Sequence, residues 1–189
     1  MHEQDHTVEL TPLGRAFVRA LNAQSAEVAT DGFVNLVLSE DDPTAIARVF
    51  ARIAQVGKGM LVDPYLRFEP IITLAIDTSI NRALTSKKLK KEELDAIRVG
   101  LPRLYPDAVF EVRVGPKTLH DRFLIPSQGY VQAIGTSLTG VGRSLTIMGE
   151  LRDVTEALRQ KYEEIWTNAE VLAVSGSDQP ESDATRGSK

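Results

Sequence analysis

The 189-residue chain contains no cysteine, and that absence removes a disulfide framework, a thiolate zinc site, an iron–sulfur cluster and a Cys nucleophile together. Histidine is nearly as scarce. His2 and His6 sit in a polar N-terminal stub and His120 stands without His neighbours, so a metal site built on imidazole has almost no ligands to draw on, and none is expected. No apolar run approaches the roughly 18 to 20 residues of a membrane span, and the opening MHEQDHT has neither a basic n-region nor a hydrophobic signal core. The expectation is a cytoplasmic protein without membrane association. A large excess of one charge is also lacking: 22 Lys and Arg stand against 26 Asp and Glu, a net −4. That balance argues against holding nucleic acid by bulk charge, while leaving a local phosphate site open.

What is present is ordinary globular material, 42% hydrophobic and 25% charged. Chains divide into separate cores only beyond about 250 residues, so one core is expected. The expected layout is a flexible stub over residues 1–10, one α/β domain over 11–174 and a disordered tail over 175–189, where SGSDQPESDATRGSK has almost no apolar residues. No internal repeat is visible at a solenoid period.

Within the domain, Thr11-Pro12 opens a helix that carries Leu13, Phe17, Ala20 and Leu21 on one face. Residues 33–38, FVNLVL, read as a buried strand. Asp42-Pro43 repeats the cap-and-proline signature before Ile46, Val49, Phe50 and Ile53, and Gly57 supplies a stop. Residues 60–62 make a strand ended by Asp63-Pro64, so residues 33–62 read β-α-β. The four-residue spacing of Ile72, Ile76, Ile80 and Leu84 predicts an amphipathic helix from 69 to about 86. The run KKLKKEELDAI continues as a helix whose lysines, Lys87, Lys88, Lys90 and Lys91, read as a solvated face. Beyond Leu101-Pro102 the period becomes alternating, with strands at 109–114, 122–126, 130–135 and 145–148. From Asp153 a closing helix follows, with Ala157, Leu158, Tyr162, Ile165, Trp166 and Ala169 inward.

The segment that concentrates chemistry is TLHDRFLIPSQGYVQAIGTSLTGVGRSLTIM. His120 and Arg122 stand two apart at a strand's start, so imidazole and guanidinium can share one side of the sheet. A hairpin returns to Gly135, Thr136 and Ser137, whose backbone N–H groups and hydroxyls lie toward that side. A nucleophile, a permanent cation and a small-residue loop are the parts of a phosphate site. Arg143 offers either a second phosphate contact or a solvent-facing charge, and the glycines Gly135, Gly140 and Gly142 either a phosphate loop or a plain connection.

On these residues, HDRF followed by GTSL, the chain resembles the phospholipase D superfamily in its single-motif form. The likeness extends to MLVDPYL at a strand end and to the aromatic-bearing last helix, over roughly residues 30–170. It implies a mixed β-sheet flanked by helices, and a metal-independent phosphodiesterase or nuclease without cofactor. In that chemistry one histidine attacks phosphorus and a second protonates the leaving oxygen. His120, Arg122 and Ser137 would then be the catalytic set, with Gly135, Thr136 and Arg143 joining Arg122 and Ser137 on the phosphate. A single motif supplies half of the site, so a homodimer is implied. Arg122 stands in place of the usual lysine. Ser127 falls where the family has an acidic residue, Leu138 at the asparagine position and Ser144 near a glutamate position, while Asp121 alternates to the opposite face. Asp63 or Glu150 is left to orient the imidazole across the fold. The departures set a second reading beside the enzyme: a catalytically degenerate subunit that binds nucleic acid, another phosphodiester or partner proteins, such as those of a bacterial defence or restriction complex.

Overall fold

The computed structural model describes residues 34–176. The helix expected from residue 12 to the mid-twenties, the stub at 1–10 and all but two residues of the tail fall outside them. Along the chain run β1 (Val34–Leu38), α1 (Ala45–Gln55), β2 (Gly59–Val62), α2 (Phe68–Asp77), β3 (Arg82–Ser86) and α3 (Lys91–Gly100). Then come β4 (Glu111–Gly115), β5 (Phe123–Pro126), β6 (Gln132–Ile134), β7 (Thr146–Glu150), α4 (Thr155–Asn168) and β8 (Glu170–Val174).

The eight strands form one mixed sheet in the order β1-β7-β6-β5-β2-β3-β4-β8. Strands β2, β3 and β4 are parallel, and every other pairing is antiparallel. The α/β architecture with helices on both faces is therefore present. β2 lies in the middle, all four of its residues buried, as a strand covered on both faces must be. Leu61 joins a core with Val49, Phe50 and Ile53 of α1, Ile71 and Leu74 of α2 and Ile97 of α3. Met60 and Val62 face the other way, into a smaller core with Tyr162 and Trp166 of α4.

The turn before α1 follows the expected chemistry displaced by two residues. Thr44 is the N-cap, and the Asp42 carboxylate accepts from its backbone N at 2.8 Å and its hydroxyl at 2.7 Å. Gly57, at φ +77°, closes the helix with a conformation that suits glycine.

Four expectations are corrected. The helix over 69–86 ends at Asp77, because the Thr78 hydroxyl donates to the Leu74 carbonyl at 2.7 Å and accepts from Ile80 N at 3.1 Å, turning the chain out. Residues 82–86 then pair between β2 and β4, and the buried face of α2 is Ile71, Leu74 and Ala75, with Ile76 58% exposed. Second, residues 33–62 run β-α-β as read, but β1 is an edge strand rather than a buried one. β1 crosses to the sheet's edge against β7, leaving Val37 55% exposed, whereas β2-α2-β3 and β3-α3-β4 are the parallel crossovers. Third, Lys87, Lys88 and Lys90 belong to the β3–α3 turn rather than to a helix face. Fourth, within α4 Ala157 is exposed, because the helix meets the sheet through Tyr162 and Trp166.

Strand β8 was not expected. It lies on β4, and Ser175 extends the pairing: its N donates to the Phe110 carbonyl at 2.9 Å, and its hydroxyl accepts from Phe110 N at 2.8 Å.

Candidate functional site

The parallel strands β2, β3 and β4 release the chain at one edge of the sheet, and β5 enters there in the opposite sense, with Phe123 beside Val62. A reversal of strand direction beside parallel strands leaves a crevice at their carboxyl ends. Four segments meet in it: 63–65 after β2, 86–90 after β3, 115–122 between β4 and β5, and 137–139 after β6.

Ser86 stitches two of them together. Its hydroxyl donates to the Pro116 carbonyl at 3.3 Å and accepts from Lys88 N at 3.2 Å. Lys88 thereby aims across the crevice, where its Nζ lies 3.1 Å from the Leu119 carbonyl, 2.8 Å from His120 Nδ1 and 3.3 Å from Nε2. An ammonium only donates, so the ring nitrogen it meets accepts, and in a neutral imidazole the other nitrogen carries the proton. Both ring nitrogens lie within reach of the ammonium, and either can accept from it.

Asp63 organises the other side. Its carboxylate is 2% exposed. Oδ2 accepts from the Ser137 hydroxyl at 2.7 Å and from Leu138 N at 3.0 Å, and Oδ1 accepts from Tyr65 N at 3.0 Å. The GTSL loop is thus tied to the end of β2. Burial is the largest influence on Asp63 and pushes its carboxyl above the usual range, against the opposing pull of these donors and the charge of Arg122.

Arg122 lies with its Nε 3.9 Å from Asp63 Oδ1 and its guanidinium over the Tyr65 ring at 5.5 Å. That ion pair is outside hydrogen-bond reach, and the buried Nε has no hydrogen-bond partner. Held by stacking and charge, the guanidinium has its donors unspent among the described residues.

Tyr65 and Lys88 line one small cavity of about 180 Å3 together with Thr139; Arg122 lies over Tyr65 and His120 meets Lys88, while Asp63 and Ser137 are buried. Other sequence-predicted residues stand elsewhere. Gly135 N is committed to the Ile147 carbonyl at 2.8 Å, so this N–H belongs to the sheet. Thr136 is half-buried beside Gly140, where a Cβ would meet its hydroxyl at 2.7 Å. Arg143 is exposed on a loop that approaches the β1–α1 turn, where Asp41 N donates to Gly142 O at 3.4 Å. Glu150 is engaged by Asn35 at 3.0 Å, Arg152 at 3.1 Å and Arg52 at 3.5 Å, beside Gln132 at the opposite end of β6 from Ile134. Asp121 turns to the α4 face, where its carboxylate accepts from the Tyr162 hydroxyl at 2.7 Å. Leu138 has its side chain in the core, Ser127 lies past the far end of β5, and Ser144 is exposed. Among the described residues no three His, Asp or Glu side chains cluster as a metal site, and no helix is long and apolar enough to cross a membrane.

Lys88 is the site residue that sequence reasoning missed. Its signal was a lysine run directly after TS at a strand end, hidden by reading that strand as helix.

No family model and no curated protein matches the sequence. Among solved structures the chain is similar to Nuc from Salmonella typhimurium, a phospholipase D family member, with a TM-score of 0.50 and 10% identity over 72% of this chain and 97% of that one. It is also similar to TrmBL2, an archaeal chromatin protein described with a novel mode of DNA binding, at a TM-score of 0.44 and 17% identity. That match covers 82% of this chain and spans 60% of TrmBL2. The fold is thus phospholipase D-like: a mixed α/β domain whose eight-stranded sheet is flanked by helices.

Proposed function

We propose that the crevice is a phosphate-binding half-site and that its ligand is the phosphate of a phosphodiester. One observation carries this: the unspent guanidinium of Arg122 lies over Tyr65, which lines one cavity with Lys88, the partner of His120, in a fold of the phospholipase D type. Arg122 presents a fork of donors, Lys88 a mobile point charge and His120 a ring N–H, a set matched to the nonbridging oxygens of one phosphate. Asp63 keeps the Ser137 loop in place without itself facing the ligand. Inorganic phosphate and a dialkyl phosphodiester, titrated into the full chain and followed by 31P line broadening, are expected to bind the wild type. Arg122→Ala and His120→Ala should each weaken binding about tenfold, the value of one charge-assisted hydrogen bond. Unchanged binding in both variants overturns the reading.

A second reading, cleavage through a phosphohistidine, is favoured by the exposure of His120 and its alternation with Arg122. When phosphate draws Lys88 away, an imidazole lone pair is freed to attack phosphorus. The P–O bond to the leaving group breaks, and that oxygen takes a proton from a second acid, for which the histidine of a second copy about a two-fold axis is the natural source. Phosphodiester hydrolysis in EDTA that disappears in His120→Ala supports cleavage. Binding without turnover leaves the site as a recognition module.

A further inference from the structure

On the side of the sheet that carries α4, the strands β1, β7 and β6 have no helix over them among the described residues. Residues opposite one another in an antiparallel pair share a face, so Phe123, Ala133 and Gly149 lie on one side, and by alternation Ile147 and its partner Val37 lie there too. That side is α4's, because the Phe123 ring meets Tyr162 edge-to-face at 5.4 Å. Yet the core around Tyr162 and Trp166 takes no residue from β1, β6 or β7. The opposite side of these strands is already filled: Leu36, Leu38, Ile134 and Met148 share one core with Val49 and Ile53 of α1. What stays open is an apolar groove of about 300 Å3 lined by Ala133, Gly135, Ile147, Gly149 and Leu151. Val37 and Leu145 extend it, and both are exposed.

We infer that this face is the seat of the chain's own N-terminal segment, from residue 12 to the mid-twenties, docked as a helix beside α4. The described residues begin at Val34 on β1, the strand at the edge of the open face, and Val34 pairs with Gly149, so the chain enters at the groove itself. Leu13, Phe17, Ala20 and Leu21 fall on one side of a helix and Arg15 and Arg19 on the other, the pattern of a helix with one buried face. The sheet offers the complement: Ala133, Gly135 and Gly149 leave depth for Phe17 and Leu21 beside Ile147 and Leu151. The dimensions agree. Such a helix is about 20 Å long, strands of the length of β1 and β7 run about 17 Å, and residues 26–33 reach up to about 26 Å when extended. The tail beyond Gly176 has only Pro180 and Ala184 as apolar residues and cannot supply the cover. The inference is independent of the phosphate reading.

The lack of cysteine makes the test direct. Two double variants of the full chain, Phe17→Cys/Ile147→Cys and Phe17→Cys/Val99→Cys, are treated at high dilution with a short bismaleimide, and links within one chain are separated by mass from links between chains. Ile147 and Val99 are both exposed, so each variant retains the fold, and Val99 lies on α3, across the sheet from the groove. The first pair is expected to link within the chain in about tenfold higher yield than the second, because docking raises the local concentration of one thiol at the other. In Phe17→Asp, hydrogen exchange of the β1 and β7 amides should quicken by about tenfold or more, the equilibrium equivalent of one buried phenylalanine. The β3 and β4 amides should keep wild-type rates. Equal yields from the two pairs overturn the inference, as does unchanged exchange of β1 and β7 in Phe17→Asp. A link from Phe17→Cys to Ile147→Cys that forms only between chains overturns it as well and gives the face to a second copy.

Discussion

Replacing Asp63 by Asn isolates the group on which the candidate site is built. The two side chains have the same shape, but the carboxylate accepts at both oxygens: from Ser137 and Leu138 N at Oδ2, and from Tyr65 N at Oδ1. Asn has one carbonyl oxygen, so whichever way its amide turns, an NH2 group opposes a backbone N–H. If the oxygen keeps the Ser137 side, Tyr65 N loses its acceptor. If it keeps the Tyr65 side, the Ser137 hydroxyl can rotate but Leu138 N cannot. At least one donor in a buried site is left unpaired, at a cost of about 1–3 kcal/mol. Loss of the charge facing Arg122 adds to that, while relief of the carboxylate's desolvation subtracts. Asp63→Ala, which also leaves the Arg122 charge and all three donors without an acceptor, should cost about 3–5 kcal/mol. Urea unfolding followed by circular dichroism reads these values as shifts of midpoint at constant slope. A stability for Asp63→Asn within about 0.5 kcal/mol of the wild type, well below the cost of one unsatisfied donor, would refute the assignment of Asp63 as the tie between β2 and the GTSL loop.

The same substitution has a pH signature. Burial raises the folded carboxyl above the usual aspartate range, so across that window the native state holds a proton that the unfolded chain has released. Stability from this group therefore falls as pH rises through the window and is greatest below it. Asn cannot titrate, so the stability advantage of the wild type over Asp63→Asn should narrow as pH is raised from the acid side. A gap that widens instead would show the donors and Arg122 outweighing burial.

Three further outcomes are expected. Lys88→Ala should weaken phosphate binding about tenfold, the loss of one charge-assisted contact, with the unfolding midpoint held near the wild type; 31P titration beside urea unfolding checks both. Glu163 is held below the usual glutamate range chiefly by its hydrogen bonds from Arg82, at 2.8 and 2.5 Å; its contribution is present above that range and lost as pH falls through it, so Glu163→Gln should lower stability at neutral pH and match the wild type in acid, as pH-dependent unfolding would read. Gly59→Ala would set a Cβ 2.4 Å from the Ile125 carbonyl oxygen and 2.8 Å from Pro126 Cα, backbone that cannot step aside; the parting of β2 from β5 should cost about 1–3 kcal/mol in urea unfolding.

Legibility in the sequence followed the range of the forces involved. β5, β6 and β7 declare themselves through alternation and bounding turns, and β2 through a short apolar run ended by Asp63-Pro64, because the patterns that define them are local. β3 did not, since Ile72, Ile76, Ile80 and Leu84 keep a helical interval that one hydroxyl, Thr78, interrupts; pairing with β2 and β4 then decides the rest. β8, EVLAV, carries a strand composition, and its place beside β4 depends on where α4 delivers the chain. The candidate site divides the same way. His120 and Arg122 stand two apart in the segment that leads into β5 and were read from spacing alone. Lys88 and Asp63 reach them only because β5 inserts beside β2, a juxtaposition that no local pattern encodes.

That division bears on what the histidine can do. A nucleophilic imidazole gains from a carboxylate that fixes its tautomer and stabilises its charged form, and the three carboxylates that the sequence offered beside it or across the fold are committed elsewhere. Asp121 accepts from Tyr162, Asp63 holds Ser137, Leu138 and Tyr65, and Glu150 is engaged by Asn35, Arg52 and Arg152. His120 is instead met by an ammonium, which takes an imidazole lone pair and turns the remaining ring N–H into a donor. A site so arranged grips an anion before it attacks one. Turnover requires Lys88 to leave for the phosphate, and it requires a proton donor for the leaving oxygen from beyond the described residues. Binding requires neither. Phosphate affinity should therefore depend on Arg122, Lys88 and His120 alike, whereas hydrolysis, where it occurs, should in addition rise with protein concentration as copies associate.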